Sequence, residues 1–193
     1  MPRQIDWSEL GVLEGFETKG YVPLNRKTHQ FIGKSGVTIG YGVDLGQRSA
    51  AEIKALPLPS STIAKLMPYA LLKGYQAADA LRFRPLQVSV LEARMITAAV
   101  WNRVFDQLAA NYNARSPVDF DDLPKEAQNV LASMALNFGP ALHIATPNTF
   151  KLACERRWKE MSEVLKKFPS KNPELSVRRY REGTMLHPLF KGK

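Results

Sequence analysis

The sequence predicts an α+β fold, with a small antiparallel β-sheet lobe, a larger all-helical lobe and a ligand-binding cleft between them. Three observations support this prediction. An amphipathic segment comes first, a stretch rich in Gly and β-branched residues follows, and helical periodicity then continues to the end of the 193 residues. Because strands and helices are segregated, a parallel α/β fold is disfavoured. We expect one domain over residues 1–193, with a β lobe at about 19–46 and a helical lobe at about 1–18 plus 48–193.

The first helix is predicted over residues 6–18. Asp6 followed by Glu9 resembles a capping box, in which side chains at a helix start pair with free backbone N–H groups. Leu10, Leu13 and Phe16 then fall on one helical face, which is typical of a helix that packs on a core.

The segment after this helix changes in composition. Gly, Thr, Tyr, Val and Ile dominate residues 19–46, which favours short strands joined by turns, and we predict strands at 20–24, 30–33 and 37–43. Two further capping boxes, Ser49 with Glu52 and Ser89 with Glu92, mark later helix starts. The helices predicted after the sheet cover residues 50–56, 60–73, 75–82, 90–114, 124–138, 149–167 and 174–185.

The chain is strongly basic, with 27 Lys and Arg against 18 Asp and Glu, a formal net charge of +9. Residues 151–193 contain 12 of these basic residues and five acidic ones, so the excess lies mainly at the C-terminal end. A basic protein of this kind can bind nucleic acid, an anionic membrane surface or an anionic polymer such as a bacterial cell wall, or can carry its charge for solubility alone.

Composition also argues against a disulfide-bonded protein, a metalloprotein and a membrane protein. The single cysteine, Cys154, cannot form an internal disulfide, and His29, His143 and His187 lack metal-ligand spacing, so we expect no metal or cofactor. The N-terminus has no apolar signal core, and no window approaches the roughly 18 apolar residues that a membrane span requires. We expect synthesis in the cytoplasm without a signal peptide and no integral membrane segment.

A group of side chains near the first helix and the third predicted strand can perform acid–base chemistry. Glu14 and Glu17 lie near the end of the helix, Thr38 lies in the strand, and Asp44 follows it. Two carboxylates on separate elements that face one cleft can divide acid and base roles, as glycosidic hydrolysis requires. Spacing alone leaves open that these are ordinary surface carboxylates.

Three blocks of sequence resemble the phage-type lysozymes. The first is Glu14-Gly15 with Tyr21 and the strand Thr38–Gly42, which resembles the active-site region of that family. Met134–Gly139 resembles its helix ending in Asn-x-Gly, and Arg178–Gly183 resembles its C-terminal Arg-Arg-x-x-Glu segment. The blocks occur in the family's order and span nearly the whole chain. The resemblance implies a lysozyme-like α+β fold.

One departure narrows the resemblance. Many phage lysozymes carry a catalytic Asp shortly after the tyrosine that aligns with Tyr21, whereas this chain has Val22 and Pro23. The form Thr-Ile-Gly-x-Gly-x-Asp-Leu-Gly is instead similar to the lysozyme-like toxin domain of pesticin and its relatives. In that group the Asp six residues after the Thr belongs to the catalytic set, and Thr38 and Asp44 have this separation.

The resemblance implies a muramidase that cuts peptidoglycan between N-acetylmuramic acid and N-acetylglucosamine, and it favours inversion of configuration. Glu14 is then the general acid, protonated beside an apolar helical lobe, while Asp44 stays ionised and activates a water that Thr38 holds. Three alternatives remain at these positions: Glu17 competes as the acid, Thr38 is only a strand residue, and Asp44 only caps the turn that follows it.

Substrate contacts are expected from three further residues. Tyr41 is a candidate for stacking on a sugar, Asn137 lies in the second matching block, and Arg178 lies in the third. Asn137 also fits a role in holding backbone, and Arg178 also fits a solvated helix face. One of Arg178 and Arg179 is expected to reach Glu14 and help to position it.

The expected partner is bacterial peptidoglycan, reached by a monomer. Two settings fit: a phage endolysin released through a holin, or an antibacterial toxin delivered by a secretion system and held in check by an immunity protein. In both, the protein acts in the periplasm or on the cell wall. The alternatives are a catalytically idle cell-wall-binding or virion protein, a lytic transglycosylase, and a nucleic-acid-binding protein, which the absence of recognisable motifs makes remote.

Overall fold

The structure is a computed structural model that describes residues 3–24, 28, 30, 31, 34–168 and 173–191. Within these ranges, the side chains at positions 9, 12–14, 173 and 174 lie outside the description. The described chain is mostly helical and contains a small antiparallel sheet of strand order β1-β2-β3. The predicted α+β class is therefore confirmed.

The first helix, α1, covers Trp7–Glu14 and is shorter than the predicted segment 6–18. It begins after Asp6, whose side chain accepts a backbone N–H of the first turn at 3.1 Å. It ends before Gly15, which has a φ of +71°. Glycine adopts this left-handed conformation at little cost and commonly terminates helices with it, so the apolar periodicity beyond residue 14 does not continue the helix.

The sheet is built from β1 (Glu17–Tyr21), β2 (Thr38–Gly40) and β3 (Val43–Asp44). The predicted strand 20–24 thus begins earlier, and the predicted strand 37–43 is divided into β2 and β3. The division follows from Gly40 and Gly42, whose φ angles of +63° and +73° turn the chain back on itself. Within the predicted strand 30–33, residues 32 and 33 lie outside the described residues, and Phe31 forms an isolated bridge with Leu24.

The chain folds into two compact units, one of which comprises Glu14–Trp101. This unit contains the sheet and extends beyond the predicted β lobe at 19–46. A single lysozyme-like domain over the whole chain stays a prediction. The helices of this unit are α2 (Ala50–Lys54), α3 (Ser60–Leu66), α4 (Gly74–Phe83) and the first part of α5 (Val90–Asn113).

The second unit comprises Met1–Leu13 and Asn102–Lys193. Its core lies around Tyr112, whose ring contacts those of Phe120 and Phe150 and whose hydroxyl donates to the Ala153 carbonyl at 3.1 Å. Its helices are the rest of α5, α6 (Lys125–Phe138), α7 (Leu142–Ala145), α8 (Pro147–Cys154), α9 (Trp158–Lys166) and α10 (Pro173–Met185).

Two long predicted helices are interrupted. The predicted helix 60–73 leaves the α conformation after Leu66 and continues as a short 3-10 turn that contains Pro68. Proline cannot donate the backbone hydrogen bond that a continuing helix needs. The predicted helix 149–167 is divided into α8 and α9 at Arg156, which has a φ of +55°.

Buried amides of α6 hold the segment that precedes α1. The side-chain oxygens of Gln128 and Asn129 accept the backbone N–H groups of Gln4 and Asp6 at 2.9 and 2.8 Å, and both amide side chains are buried. Asp6 also forms an ion pair with Lys125 at 2.9 Å. These contacts fix the start of α1 within the second unit.

The two later capping boxes predicted from the sequence are confirmed. Ser49 and Glu52 exchange side-chain to backbone hydrogen bonds at the start of α2. At the start of α5, the Glu92 carboxylate accepts the Ser89 N–H at 2.8 Å and the Ser89 hydroxyl accepts the Glu92 N–H at 3.1 Å. Glu92 also accepts a hydrogen bond from Lys65 at 2.7 Å, which ties α3 to α5.

The Glu92 site predicts a pH-dependent contribution to stability. The hydrogen bonds from Lys65 and from the Ser89 backbone lower the pKa of Glu92 from 4.5 to about 2. A lowered carboxyl pKa stabilises the fold above 4.5, and that stability is lost as the pH falls towards 2. Glu92→Gln should therefore unfold more easily than the wild type at neutral pH, by roughly 1 kcal/mol, and this difference should shrink in acid.

Urea unfolding of both proteins at neutral pH and at about pH 3 measures this effect. Glu163→Gln is the matched control, because Glu163 is an exposed carboxylate on α9. A gap between wild type and Glu92→Gln that is equal at both pH values would contradict the assignment.

Candidate functional site

The β2–β3 hairpin brings together two of the predicted catalytic residues. Thr38 and Asp44 are direct partners in the antiparallel register. Directly opposed residues project from the same face of a sheet, with Cβ atoms roughly 4.5–5.5 Å apart. The Thr38 side chain is buried, and its hydroxyl donates to the Gly36 carbonyl at 3.3 Å.

The Asp44 carboxylate is held by backbone. Its Oδ1 accepts the N–H groups of Gly36 at 3.0 Å and Gly46 at 2.8 Å, and so caps the 3-10 turn Leu45–Gln47. Its Oδ2 receives a long contact of 3.4 Å from the Gln47 amide. The capping role that the sequence left open is therefore present, and it leaves Oδ2 weakly engaged within the described residues.

The two glycines that donate to Asp44 lie against each other. A Cβ atom built on Gly36 would lie 2.5 Å from the Gly46 Cα, and one built on Gly46 would lie 2.7 Å from the Gly36 Cα. Such distances exclude any side chain at either position. Only two glycines allow one carboxylate oxygen to accept from both segments.

The predicted sugar platform, Tyr41, lies at the turn between β2 and β3. Its half-buried ring contacts the rings of Phe16 and Trp101, with centroids 4.7 and 5.9 Å away. Its backbone N–H donates to the Thr97 hydroxyl at 3.1 Å. The aromatic neighbours hold the ring in place, and stacking of Tyr41 on a sugar stays a prediction.

Thr97 is a residue that the sequence analysis missed. It is buried in α5, and its hydroxyl also donates to the Ala93 carbonyl at 2.9 Å. A Cβ atom on Gly40, which has a positive φ, would lie 2.5 Å from this hydroxyl, so the position next to Thr97 has no room for a side chain. The sequence does contain a signal for Thr97. Its hydroxyl is alone on an otherwise apolar helical face, between Ala93 and Val100.

Glu14 is the last residue of α1, directly before the left-handed Gly15. Its side chain lies outside the described part of the structure, so its role as general acid stays a prediction. The competing acid, Glu17, is exposed at the start of β1, so its predicted position within the first helix is wrong.

The third matching block forms a buried ionic cluster within the second unit. Arg179 and Glu182 on α10 are both fully buried, and the Arg179 Nη2 lies 2.7 Å from the Glu182 Oε1. The same oxygen accepts the Ser133 hydroxyl of α6 at 2.5 Å. Burial raises the pKa of the Glu182 carboxyl, while the charge of Arg179 and the bond from Ser133 act against that rise.

Arg178 joins this cluster. Its guanidinium donates to the Ser133 carbonyl at 2.9 Å and to the Glu182 carboxylate at 3.4 Å, and it is mostly buried. The alternative of a solvated helix face is therefore wrong for Arg178. A contact of either arginine with Glu14, and a contact of Arg178 with substrate, stay predictions.

The last predicted substrate-binding residue, Asn137, is exposed one residue before the end of α6. The helix ends on Gly139, whose φ is +84°. Asn137 makes no hydrogen bond to the described residues that would support the alternative role of holding backbone. Its role in substrate binding stays a prediction.

Two other kinds of feature are absent from the described ranges. No group of three or more His, Cys, Asp or Glu side chains there could hold a metal ion. Nor does any helix among these residues combine the length and apolar character needed to cross a lipid bilayer.

Comparison with known proteins gave two findings that agree. Residues 4–159 match the model of a family described as pesticin, bacterial toxin homologue of phage lysozyme, C-terminal. The fold is similar to the crystal structure of the active form of the P1 phage endolysin Lyz, with a TM-score of 0.55 and 17% sequence identity, over 100% of this chain and 90% of that one. A sequence search of curated proteins gave no match.

The family match extends over most of the chain and includes the β2–β3 hairpin with Thr38 and Asp44. The structural match shows a lysozyme-like fold, as the sequence predicted. The chain therefore belongs to the pesticin family of bacterial toxin homologues of phage lysozyme.

Proposed function

We propose that this protein is a peptidoglycan muramidase that hydrolyses the bond between N-acetylmuramic acid and N-acetylglucosamine. Membership of a lysozyme-type family supports a glycosidase that acts on the cell wall. The observation that carries the finer assignment is the pairing of Thr38 with Asp44 on one face of the hairpin. A hydroxyl and a carboxylate placed side by side are the groups needed to hold and activate a water molecule.

The geometry of Asp44 supports its role as the base. Two backbone N–H groups hold Oδ1, so the orientation of the carboxylate is fixed before substrate binds. Oδ2 is left to accept a proton from water, which the neighbouring Thr38 hydroxyl can orient. In an inverting glycosidase the two carboxyl groups lie about 6.5–9.5 Å apart, which leaves room for that water.

The position of Glu14 supports its role as the acid. Glu14 is the last residue of α1, directly before Gly15, and a Glu-Gly pair closes the first helix in the phage-type lysozymes that the sequence resembles. In its protonated form this carboxyl group would donate a proton to the leaving oxygen.

A lytic transglycosylase is the second candidate. Such an enzyme uses a single glutamate and leaves an anhydro-muramic product. The observation that favours it is the capping role of Asp44, because a carboxylate that only holds a turn takes no part in chemistry. In that case Glu14 acts alone.

The biological setting follows from the same proposal. Endolysin and toxin roles both need the enzyme to reach the cell wall, through a holin or through a secretion system. An immunity protein is expected for the toxin role alone, and monomeric action on an insoluble polymer suits both.

Glu14→Gln should abolish lysis. The amide has nearly the shape of the acid but donates no proton to a leaving group, so the rate should fall by about 10²- to 10⁴-fold. Turbidity loss of purified cell walls measures this rate. Glu17→Gln is the matched control, three residues away and exposed in β1. Loss of lysis in the control with retention in Glu14→Gln would transfer the acid role to Glu17.

The variant Asp44→Asn distinguishes the capping role of Asp44 from its proposed role as the catalytic base. An asparagine Oδ1 can still accept the two N–H groups, so the fold should persist, while water activation should be lost with a fall of about 10²-fold or more. Asp119→Asn is the matched control, because Asp119 caps the 3-10 turn Phe120–Asp122 through the Asp121 N–H. Both variants should melt alike, and only Asp44→Asn should lose activity. Full activity in Asp44→Asn would leave Asp44 a cap only.

Mass spectrometry of digested peptidoglycan decides between the two reactions. Hydrolysis gives reducing N-acetylmuramic acid ends, and transglycosylation gives anhydro ends that are one water lighter. We expect reducing ends that carry the α anomer first, which NMR of fresh digests detects, because inversion at a β-linked sugar yields α. Anhydro ends would overturn the hydrolase, and an initial β anomer would overturn inversion.

A further inference from the structure

A cavity of about 320 Å³ lies in the second unit, within Asn102–Lys193. None of its lining residues is a predicted catalytic or substrate-binding residue. Its wall combines ionisable side chains with an apolar aromatic ring. The residues that matter for its chemistry are Arg115, His143, Phe150, Lys151, Cys154 and Glu155.

The charges on this wall do not cancel. Glu155 is the acidic member, and its carboxylate pairs at 2.9 Å with Arg157, a residue outside the cavity. Lys151 lies 3.8 Å from the other oxygen of Glu155, which is too long for a hydrogen bond. Arg115 donates one N–H to the Asn111 carbonyl at 3.1 Å. Arg115 is exposed and the Lys151 side chain is 74% exposed, so both cations keep donors that are open to solvent and to a ligand.

A buried polar atom of a residue on the same wall also lacks a hydrogen-bond partner. The Nδ1 atom of His143 is buried and has no hydrogen-bond partner among the described residues. The ring of His143 lies 6.0 Å from that of Phe150. Buried polar atoms in folded proteins nearly always have a partner, so this unsatisfied atom on a residue beside the cavity points to a group that the described residues do not supply.

We propose that this cavity binds an oxyanion, a carboxylate or phosphate group attached to an apolar moiety. Arg115 and Lys151 supply charge-assisted donors, while Phe150 contacts the apolar part. The fork of an arginine matches the two oxygens of either group. This site is separate from Thr38 and Asp44, which lie in the other unit, and does not depend on the proposed muramidase activity.

Titration followed by NMR of backbone amides tests the chemistry. The probes are benzoate and phenyl phosphate, with benzamide as the neutral analogue. We expect both anions to shift the amides around Arg115 and residues 143–154, and benzamide to bind at least tenfold more weakly. Equal binding of benzamide would overturn the proposal, as would an absence of shifts with either anion.

Variants test the named donors. Arg115→Gln with Lys151→Gln should weaken benzoate binding at least tenfold, since each removes a charge-assisted donor. Lys159→Gln with Lys167→Gln removes the same charge from exposed positions of the same unit that do not line the cavity. Equal loss in both double variants would mean that the anion senses only net charge, and would overturn the site.

Cys154 offers a second readout because it is the single cysteine of the chain and lines the cavity. Burial raises the pKa of its thiol, and the nearby positive charge of Arg115 acts in the opposite direction. Saturating benzoate should slow alkylation by iodoacetamide several-fold in the wild type and leave the rate unchanged in the Arg115→Gln, Lys151→Gln variant. Unchanged protection in that variant would overturn the role of these two cations.

The source of the oxyanion is then distinguished by two larger probes. A soluble muropeptide carries stem-peptide carboxylates, and glycerol phosphate carries the phosphate of a lipid or wall polymer. Preferential shifts with the first assign a cell-wall carboxylate, and preferential shifts with the second assign a phosphate. Cleavage of a glycosidic bond in the muropeptide would leave its stem-peptide carboxylates in place, so this comparison does not depend on the muramidase proposal.

Discussion

One carboxylate oxygen, Oδ1 of Asp44, holds the sheet region in its observed form. It joins two backbone segments that touch through Gly36 and Gly46, and it thereby sets the hairpin in which Thr38 faces Asp44. Hydrogen bonds to an ionised acceptor are about twice as strong as neutral ones, so two of them suffice to fix a tight turn. The same atoms that stabilise the turn orient the carboxylate, so the turn and the proposed role of Asp44 as base require the same geometry.

In the second unit the charged groups that join two segments are fully buried, whereas Asp44 is only partly buried. Glu182 and Arg179 are fully enclosed, and Ser133 and Arg178 complete the cluster. An enclosed ion pair adds little net stability over apolar packing, but removal of one partner leaves an unpaired buried charge, which is strongly destabilising. Because Ser133 of α6 bonds to Glu182 and Arg178, the cluster fixes the position of α10 against α6 while adding little net stability.

The sequence predicted the fold class and both later capping boxes from local patterns, whereas Thr38 and Asp44 were assigned to one site only through the family resemblance. It did not predict the end of α1 or the division of the third strand, because both depend on glycines with positive φ angles. The spacing of apolar residues carries no information about the sign of φ. Thr97 was missed for another reason. A single polar residue on an apolar helical face forms no repeating sequence pattern. The role of Thr97 depends on its contacts with Gly40 and Tyr41, which are more than 50 residues away in the chain.

The close approach of Gly36 and Gly46 also bears on the order of folding. Every contact that defines the hairpin joins residues no more than about ten positions apart, and hairpins of this kind form in roughly 1–10 μs. The Ser133–Glu182 contact spans 49 residues and must wait for a much larger loop to close. Residues 36–46 also leave the ribosome long before α10, so the contacts within the hairpin can form before those of the buried cluster.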